Sequence, residues 1–182
     1  MDNYREEIVV KQNRVANNIA YGLAWVVMGI TMLMAAVNLS AITYALGGGG
    51  NILGTIIMTV IPGGIAFLIW WKKDLLRLEY EYTFTNGELD FACVMGNKKR
   101  KNLGSMRVKN VEACGLVSSG SFQRYLKMPG LKKMNWFLNR NAELLYFYYQ
   151  KDGAKRMIIC EPTDEMITMI KQYLPRGVFQ QN

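Results

Sequence analysis

Residues 19–39 read IAYGLAWVVMGITMLMAAVNL, and residues 52–71 read ILGTIIMTVIPGGIAFLIWW. No Asp, Glu, Lys or Arg occurs anywhere in residues 15–71. A water-soluble domain carries about a quarter of its residues as charges, so a gap of this length points to a bilayer. At 1.5 Å rise per residue, about 20 apolar residues cross the roughly 30 Å hydrocarbon core, and each run is long enough. A cleavable signal peptide fits the first run poorly. Its lead carries Asp2, Glu6 and Glu7, and no A-x-A site follows.

Working outward, the turn between the runs (residues 40–51) is uncharged and contains Gly47, Gly48, Gly49 and Gly50. The flanks are basic: Arg5, Lys11 and Arg14 precede the first run, and Lys72, Lys73 and Arg77 follow the second. Basic flanks stay in the cytoplasm, which predicts a cell-membrane protein with both termini inside and the glycine turn outside. Trp70 and Trp71 beside Lys72 and Lys73 form the expected interface anchors, an aromatic belt followed by charges. Ala20 with Ala24, Gly22 with Gly29 and Gly50 with Gly54 offer small surfaces for packing the hairpin on itself or for a homo-oligomer. Pro62-Gly63-Gly64 should kink the second helix. No ionisable residue lies at membrane depth, which argues against a transporter or pump.

Beyond residue 78 the period changes from helical to alternating. Leu78, Tyr80, Tyr82 and Phe84 share one face of a predicted strand, with Glu79, Glu81, Thr83 and Thr85 on the other. Asn86-Gly87 then supplies a hairpin turn, because both positions tolerate positive φ. Further strands are expected from Lys99, over residues 111–117, over the doubly apolar LLYFYY of residues 144–149, and over residues 156–160 after Asp152-Gly153. Pro162 and Thr163 open a short helix over residues 163–174, with Thr163 as N-cap, Asp164 and Glu165 at its positive end, and Ile167, Ile170 and Leu174 inward. The chain therefore divides into an N-terminal cytoplasmic segment (1–18), a transmembrane hairpin (19–71, with helices 19–39 and 52–71) and a cytoplasmic α+β domain (72–182). That domain is expected as an antiparallel, partly closed sheet capped by its C-terminal helix.

Two membrane spans, then LEYEYTFTNGELDF, the basic strand KKRKNLGSMRVKNVEACG, an aromatic strand and a final helix opening PTDEM make a recognisable layout. It resembles an uncharacterised bacterial family with two transmembrane helices and a C-terminal pleckstrin-homology-like domain. The resemblance implies a curved sheet capped at one end by a helix. It implies no catalytic residue.

Charge marks the candidate contacts. The chain carries +8, and residues 72–182 hold all of the excess, with 19 Lys and Arg against 11 Asp and Glu. One concentration is Lys98, Lys99, Arg100 and Lys101. Such a run is either a solvated turn whose lysines discourage edge pairing, or a contact for anionic lipid headgroups of the inner leaflet. The other concentration is the segment 120–139, which interleaves Arg124, Lys127, Lys132 and Lys133 with Phe122, Tyr125, Trp136 and Phe137. Here Lys132, Lys133 and Trp136 are candidate lipid contacts, and packing of the aromatics into the core is the competing account. Nucleic acid would use similar residues, but a membrane is the nearer anionic surface. Pro129-Gly130 should break any helix in this segment into two short pieces.

The chain contains no histidine, which removes Ser-His-Asp and Cys-His catalysis and the commonest metal ligand. Cys93, Cys114 and Cys160 are widely spaced, lack a CxxC pair and sit in apolar stretches, so they are expected as buried free thiols in a reducing compartment. No catalytic, metal or cofactor residue is assigned. The expected function is a membrane-anchored, non-catalytic binding or adaptor module that offers a basic domain to a lipid or to a membrane or cytoplasmic protein partner. The competing expectation is an accessory subunit of a membrane complex that works through its hairpin.

Overall fold

The structure, a computed structural model, describes residues 3–180 and consists of two compact units. One takes the N-terminal segment through Gln12, Glu79–Val94 and the chain from Lys98 onward; the other takes Asn13–Leu78 with Met95–Asn97.

The first unit contains two sheets. Strands β1 (Tyr4–Val9), β2 (Leu78–Thr85), β3 (Glu88–Met95) and β4 (Lys99–Arg107) form one sheet in that order. Strands β5 (Ala113–Leu116), β6 (Lys132–Trp136), β7 (Leu145–Lys151), β8 (Ala154–Cys160) and β9 (Phe179–Gln180) form the other, ordered β6-β8-β7-β5-β9. The β2–β3 and β7–β8 turns are the expected ones. Asn86 and Gly87 have φ of 48° and 87°, and Asp152 and Gly153 have φ of 54° and 72°. Between the sheets lies one apolar core. Tyr82, Phe84, Phe91, Phe147 and Ile158 are buried there, with Met166, Ile167 and Ile170 contributed by the C-terminal helix α4 (Asp164–Tyr173). Thr163 caps α4 by accepting from the Met166 amide, as its position predicts.

The doubly apolar strand behaves as its sequence requires. Leu145, Phe147 and Tyr149 of β7 face the main core, whereas Tyr146 and Tyr148 lie under the short helix α3 (Gly120–Leu126) in a second cluster with Phe122 and Met157.

Three features differ from the sequence reading. Pro129-Gly130 separates α3 from a strand, β6, rather than from a second helix, because β6 finds a parallel partner in β8. Sheet pairing is therefore not wholly antiparallel; β9 also pairs parallel with β5. The largest difference is β1. Residues 4–9, read as part of a separate N-terminal segment, pair antiparallel with β2 from Tyr4↔Thr85 to Val9↔Tyr80.

In the second unit, α1 (Arg14–Tyr44) and α2 (Ile52–Lys72) form an antiparallel pair joined through the glycine turn, with Gly48 at φ 86°. α1 is longer at both ends than the apolar run, and α2 continues as one element through Pro62. The Asn51 side chain caps α2 by accepting from the Gly54 amide. The helices approach closely at Gly63, where an added Cβ would stand 3.8 Å from Ala35, whereas Gly22 and Gly29 have no neighbour within 4 Å. Of the small residues proposed for self-packing, Gly22 and Gly29 thus take no part in it, while Ala20 and Ala24 are half-buried. Both helices are long and apolar enough to cross a membrane. Large apolar side chains project from them into the surroundings: Leu33 is 66 % and Val60 is 63 % exposed.

Candidate functional site

At the end of α2 the four residues expected as anchors divide into two kinds by their contacts. Trp70 and Trp71 are exposed, and the Lys72 ammonium lies 4.6 Å from the centre of the Trp71 ring. Lys73 turns the other way. Its ammonium is 3.0 Å from the Asp74 carboxylate and 5.0 Å from the Trp25 ring centre, in a nearly covered position. Arg77 stacks on Tyr21 at 4.0 Å. The sequence reading named Arg77 only as a basic flank and did not single out Tyr21 or Trp25; the i, i+4 spacing of the two rings was the available signal. Cation–ring contacts of this kind contribute about 0.5–2 kcal/mol each, more when water is excluded.

The β3–β4 turn joins the same unit. Gly96 donates its amide to the Arg77 carbonyl at 3.1 Å, and Gly96 and Asn97 hold φ of 60° and 57°. The basic run begins at the next residue. Lys98, Lys99, Arg100 and Lys101 are all exposed, but their duties differ. Arg100 Nε bonds Glu81 Oε2 at 2.6 Å across the sheet. Strand alternation puts Lys99 and Lys101 on the opposite face from Arg100. Among the described residues, Lys98, Lys99 and Lys101 are the cations of the run without an ion pair.

The second basic segment does not form one surface. Lys132 and Lys133 are exposed neighbours on β6, so their side chains leave opposite faces of the strand. Trp136 packs inward with its ring 4.7 Å from that of Phe91, and its carbonyl accepts from the buried Tyr82 hydroxyl. Phe122 is buried, and Tyr125 lies 4.9 Å from Tyr148. For these rings core packing is the account that holds, and Trp136 leaves the set of headgroup contacts. For Phe122 and Tyr125 the physical reason is that the outer face of β7 is apolar and needs covering, while Trp136 packs against the main core on the other side.

A polar cluster that sequence reasoning missed binds the N-terminal strand to the rest of its unit. Glu7 is buried, accepts from the Thr163 amide at 2.9 Å and from the Thr163 hydroxyl, and bonds Arg5 Nε at 2.6 Å. Arg5 also reaches Glu165 in the first turn of α4. Asn139 accepts from the Gln12 amide at 2.8 Å and donates to the Val10 carbonyl at 2.9 Å and to Glu161 at 2.8 Å.

The three cysteines are buried and unbridged. Burial pushes the thiols of Cys114 and Cys160 up, so these sulfurs stay protonated and unreactive near neutral pH. Among the described residues no group of three or more His, Cys, Asp or Glu converges.

Two sheets packed over one core, with a C-terminal helix contributing to it, fit a pleckstrin-homology-like domain. Basic strand-and-turn residues lie on its surface. The chain belongs to the family described as bacterial PH-like domain (DUF6106), which matches residues 1–180. No curated protein and no solved structure matches it.

Proposed function

We propose that this protein is a membrane-anchored, non-catalytic adaptor, whose helix pair crosses the bilayer twice and whose basic domain lies at the cytoplasmic leaflet. The observation that carries this reading is the pairing of β1 with β2. The strands entering and leaving the helix pair are neighbours in one sheet, with Val9 opposite Tyr80. A hairpin whose two ends are held in one folded domain has both ends on the same side of a bilayer. The exposed apolar side chains of α1 and α2 supply the driving force, since unpaired apolar surface of this extent is unfavourable in water. The basic flanks then choose the cytoplasmic side.

The topology is tested by thiol labelling. Gly47 has open space around its Cα, so Gly47→Cys is sterically free, and Asp152→Cys lies at the exposed β7–β8 turn. An impermeant maleimide should label the Gly47 variant in intact cells and the Asp152 variant only after lysis. The reverse pattern would place the domain outside and end the cytoplasmic reading.

Attraction to anionic headgroups is assigned to Lys98, Lys99 and Lys101, with Arg100 left to its pair with Glu81. At about 1 kcal/mol per basic residue near an anionic surface, changing the three lysines to Gln should weaken vesicle partitioning by up to about two orders of magnitude at low salt. Added salt should imitate the change by screening. The assay uses the soluble domain with its helices excised, on vesicles with and without anionic lipid. A shift below about threefold, in a domain shown to be folded, would reduce the run to a solvated turn.

A further inference from the structure

Past α4 the chain does not leave the domain. Leu174 and Pro175 end the helix, Gly177 reverses the chain at φ 79°, and Val178 donates to the Pro175 carbonyl at 3.3 Å. The tail then lies parallel to β5, with Cys114 opposite Phe179, Gly115 opposite Gln180, and the Cys114 amide donating to the Val178 carbonyl at 3.1 Å. β5 is bonded on its other side to β7, so this tail occupies what is otherwise the open edge of the five-stranded sheet. Side chains complete the seat. Phe179 packs against the main core beneath Lys171, whose ammonium is 4.1 Å from the ring centre. Gly115 is what permits the approach, because a Cβ there would stand 2.8 Å from the Gln180 carbonyl oxygen.

Among the described residues the tail pairs with two of the four residues of β5, and a cleft of about 520 Å³ beside it is lined by Leu116, Ile167, Thr168, Phe179 and Gln180. A sheet edge holding a two-residue strand is a template for a longer one, since main-chain bonds supply affinity and side-chain pockets supply selection.

We propose that the β5 edge and the facing side of α4 form a strand-accepting peptide site, closed in this structure by residues 178–180 and opened when a partner segment replaces them. The tail itself specifies the ligand: an extended segment that runs parallel to β5 and carries an apolar residue followed by an aromatic one, in the places of Val178 and Phe179. This rests on the adaptor reading and names its protein partner by chemistry. The vesicle assay probes lysines of β4 and its turn, not this edge, so either idea can fail without the other.

The test uses the full chain in detergent or nanodiscs, ended after Arg176, and a fluorescent peptide of residues 177–182, GVFQQN, followed by anisotropy. The shortened chain should bind the peptide saturably, and the intact chain should bind it at least roughly tenfold more weakly, because its own tail competes at high effective concentration. Phe179→Ala in the peptide should weaken binding by about tenfold or more, the effect of losing one half-buried ring packed against the core. Gly115→Val in the shortened chain should abolish binding. No saturable binding to a shortened chain that keeps its thermal transition overturns the proposal, as does equal binding to both chains. Where shortening unfolds the domain, the intact Phe179→Ala chain replaces it, since that change removes the ring and leaves the rest of the tail. A stable dimer of the intact chain that depends on Phe179 would assign the edge to a second copy and overturn the partner reading.

Discussion

A chain in which residues 13–77 are replaced by an Asn-Gly turn should fold as a water-soluble domain, whereas a chain beginning at Leu78 should be severely destabilised. The antiparallel register from Tyr4↔Thr85 to Val9↔Tyr80 leaves the two ends of the excised segment close together, and a short closing loop costs little. Without residues 3–12 the domain loses the whole of β1. It also loses the carboxylate of Glu7 beneath Thr163 and the two main-chain partners of Asn139. Hydrogen bonds to charged groups contribute about 1.5–3 kcal/mol each, so the combined loss of roughly 5 kcal/mol or more is comparable to the whole stability of a small domain. Urea unfolding followed by near-ultraviolet circular dichroism would check it. Equal midpoints for the two chains would show that β1 is an ornament of the sheet rather than a part of the fold.

Within that strand the largest single effect is expected at Glu7. Its carboxylate is the one acceptor shared by the Thr163 amide, the Thr163 hydroxyl and Arg5, and it is 8 % exposed. Glu7→Ala leaves these donors without that acceptor in a covered place and loosens the cap of α4, a loss of about 3 kcal/mol. In a domain of this size that lowers the melting temperature by roughly 10–20 °C. Glu7→Gln keeps one acceptor oxygen and the shape, and should recover about half of the loss. A change of only a few degrees in Glu7→Ala would mean that strand pairing alone holds β1. The adaptor reading has an interest in this result. β1 leads into α1, so the hold of Glu7 on Thr163 and the pairing of Tyr4–Val9 with β2 decide whether the helix pair is bracketed at both ends or only at one.

The paired basic and aromatic residues of 120–139 show why composition alone misleads. The same rings that suit a headgroup region also suit the uncovered face of an apolar strand, and only the placement of α3 over Tyr146 and Tyr148 decides between them. Lys132 and Lys133 look like one patch in the sequence because they are adjacent. On a strand adjacency separates them, and it is the assignment of residues 132–136 to β6 rather than to a helix that makes the difference.

Wherever the deciding interaction is local, the sequence by itself determined the element. The apolar runs of residues 19–39 and 52–71 required long helices, Asn86-Gly87 and Asp152-Gly153 required tight turns, Thr163 capped α4, and LLYFYY required a strand covered on both faces. Tertiary structure decided the two strands that close the sheets. β1 carries Arg5, Glu7 and Val9 on its inner face and Tyr4, Glu6 and Ile8 on its outer one, the reverse of a buried-strand pattern, because its inward carboxylate is satisfied by a residue 156 positions away. β9 is two residues long and has no periodicity to read; it exists because Gly115 leaves room for it at the edge of β5. Such pairings are legible only once the distant partner is in place, since the burial that stabilises them is created by the fold itself.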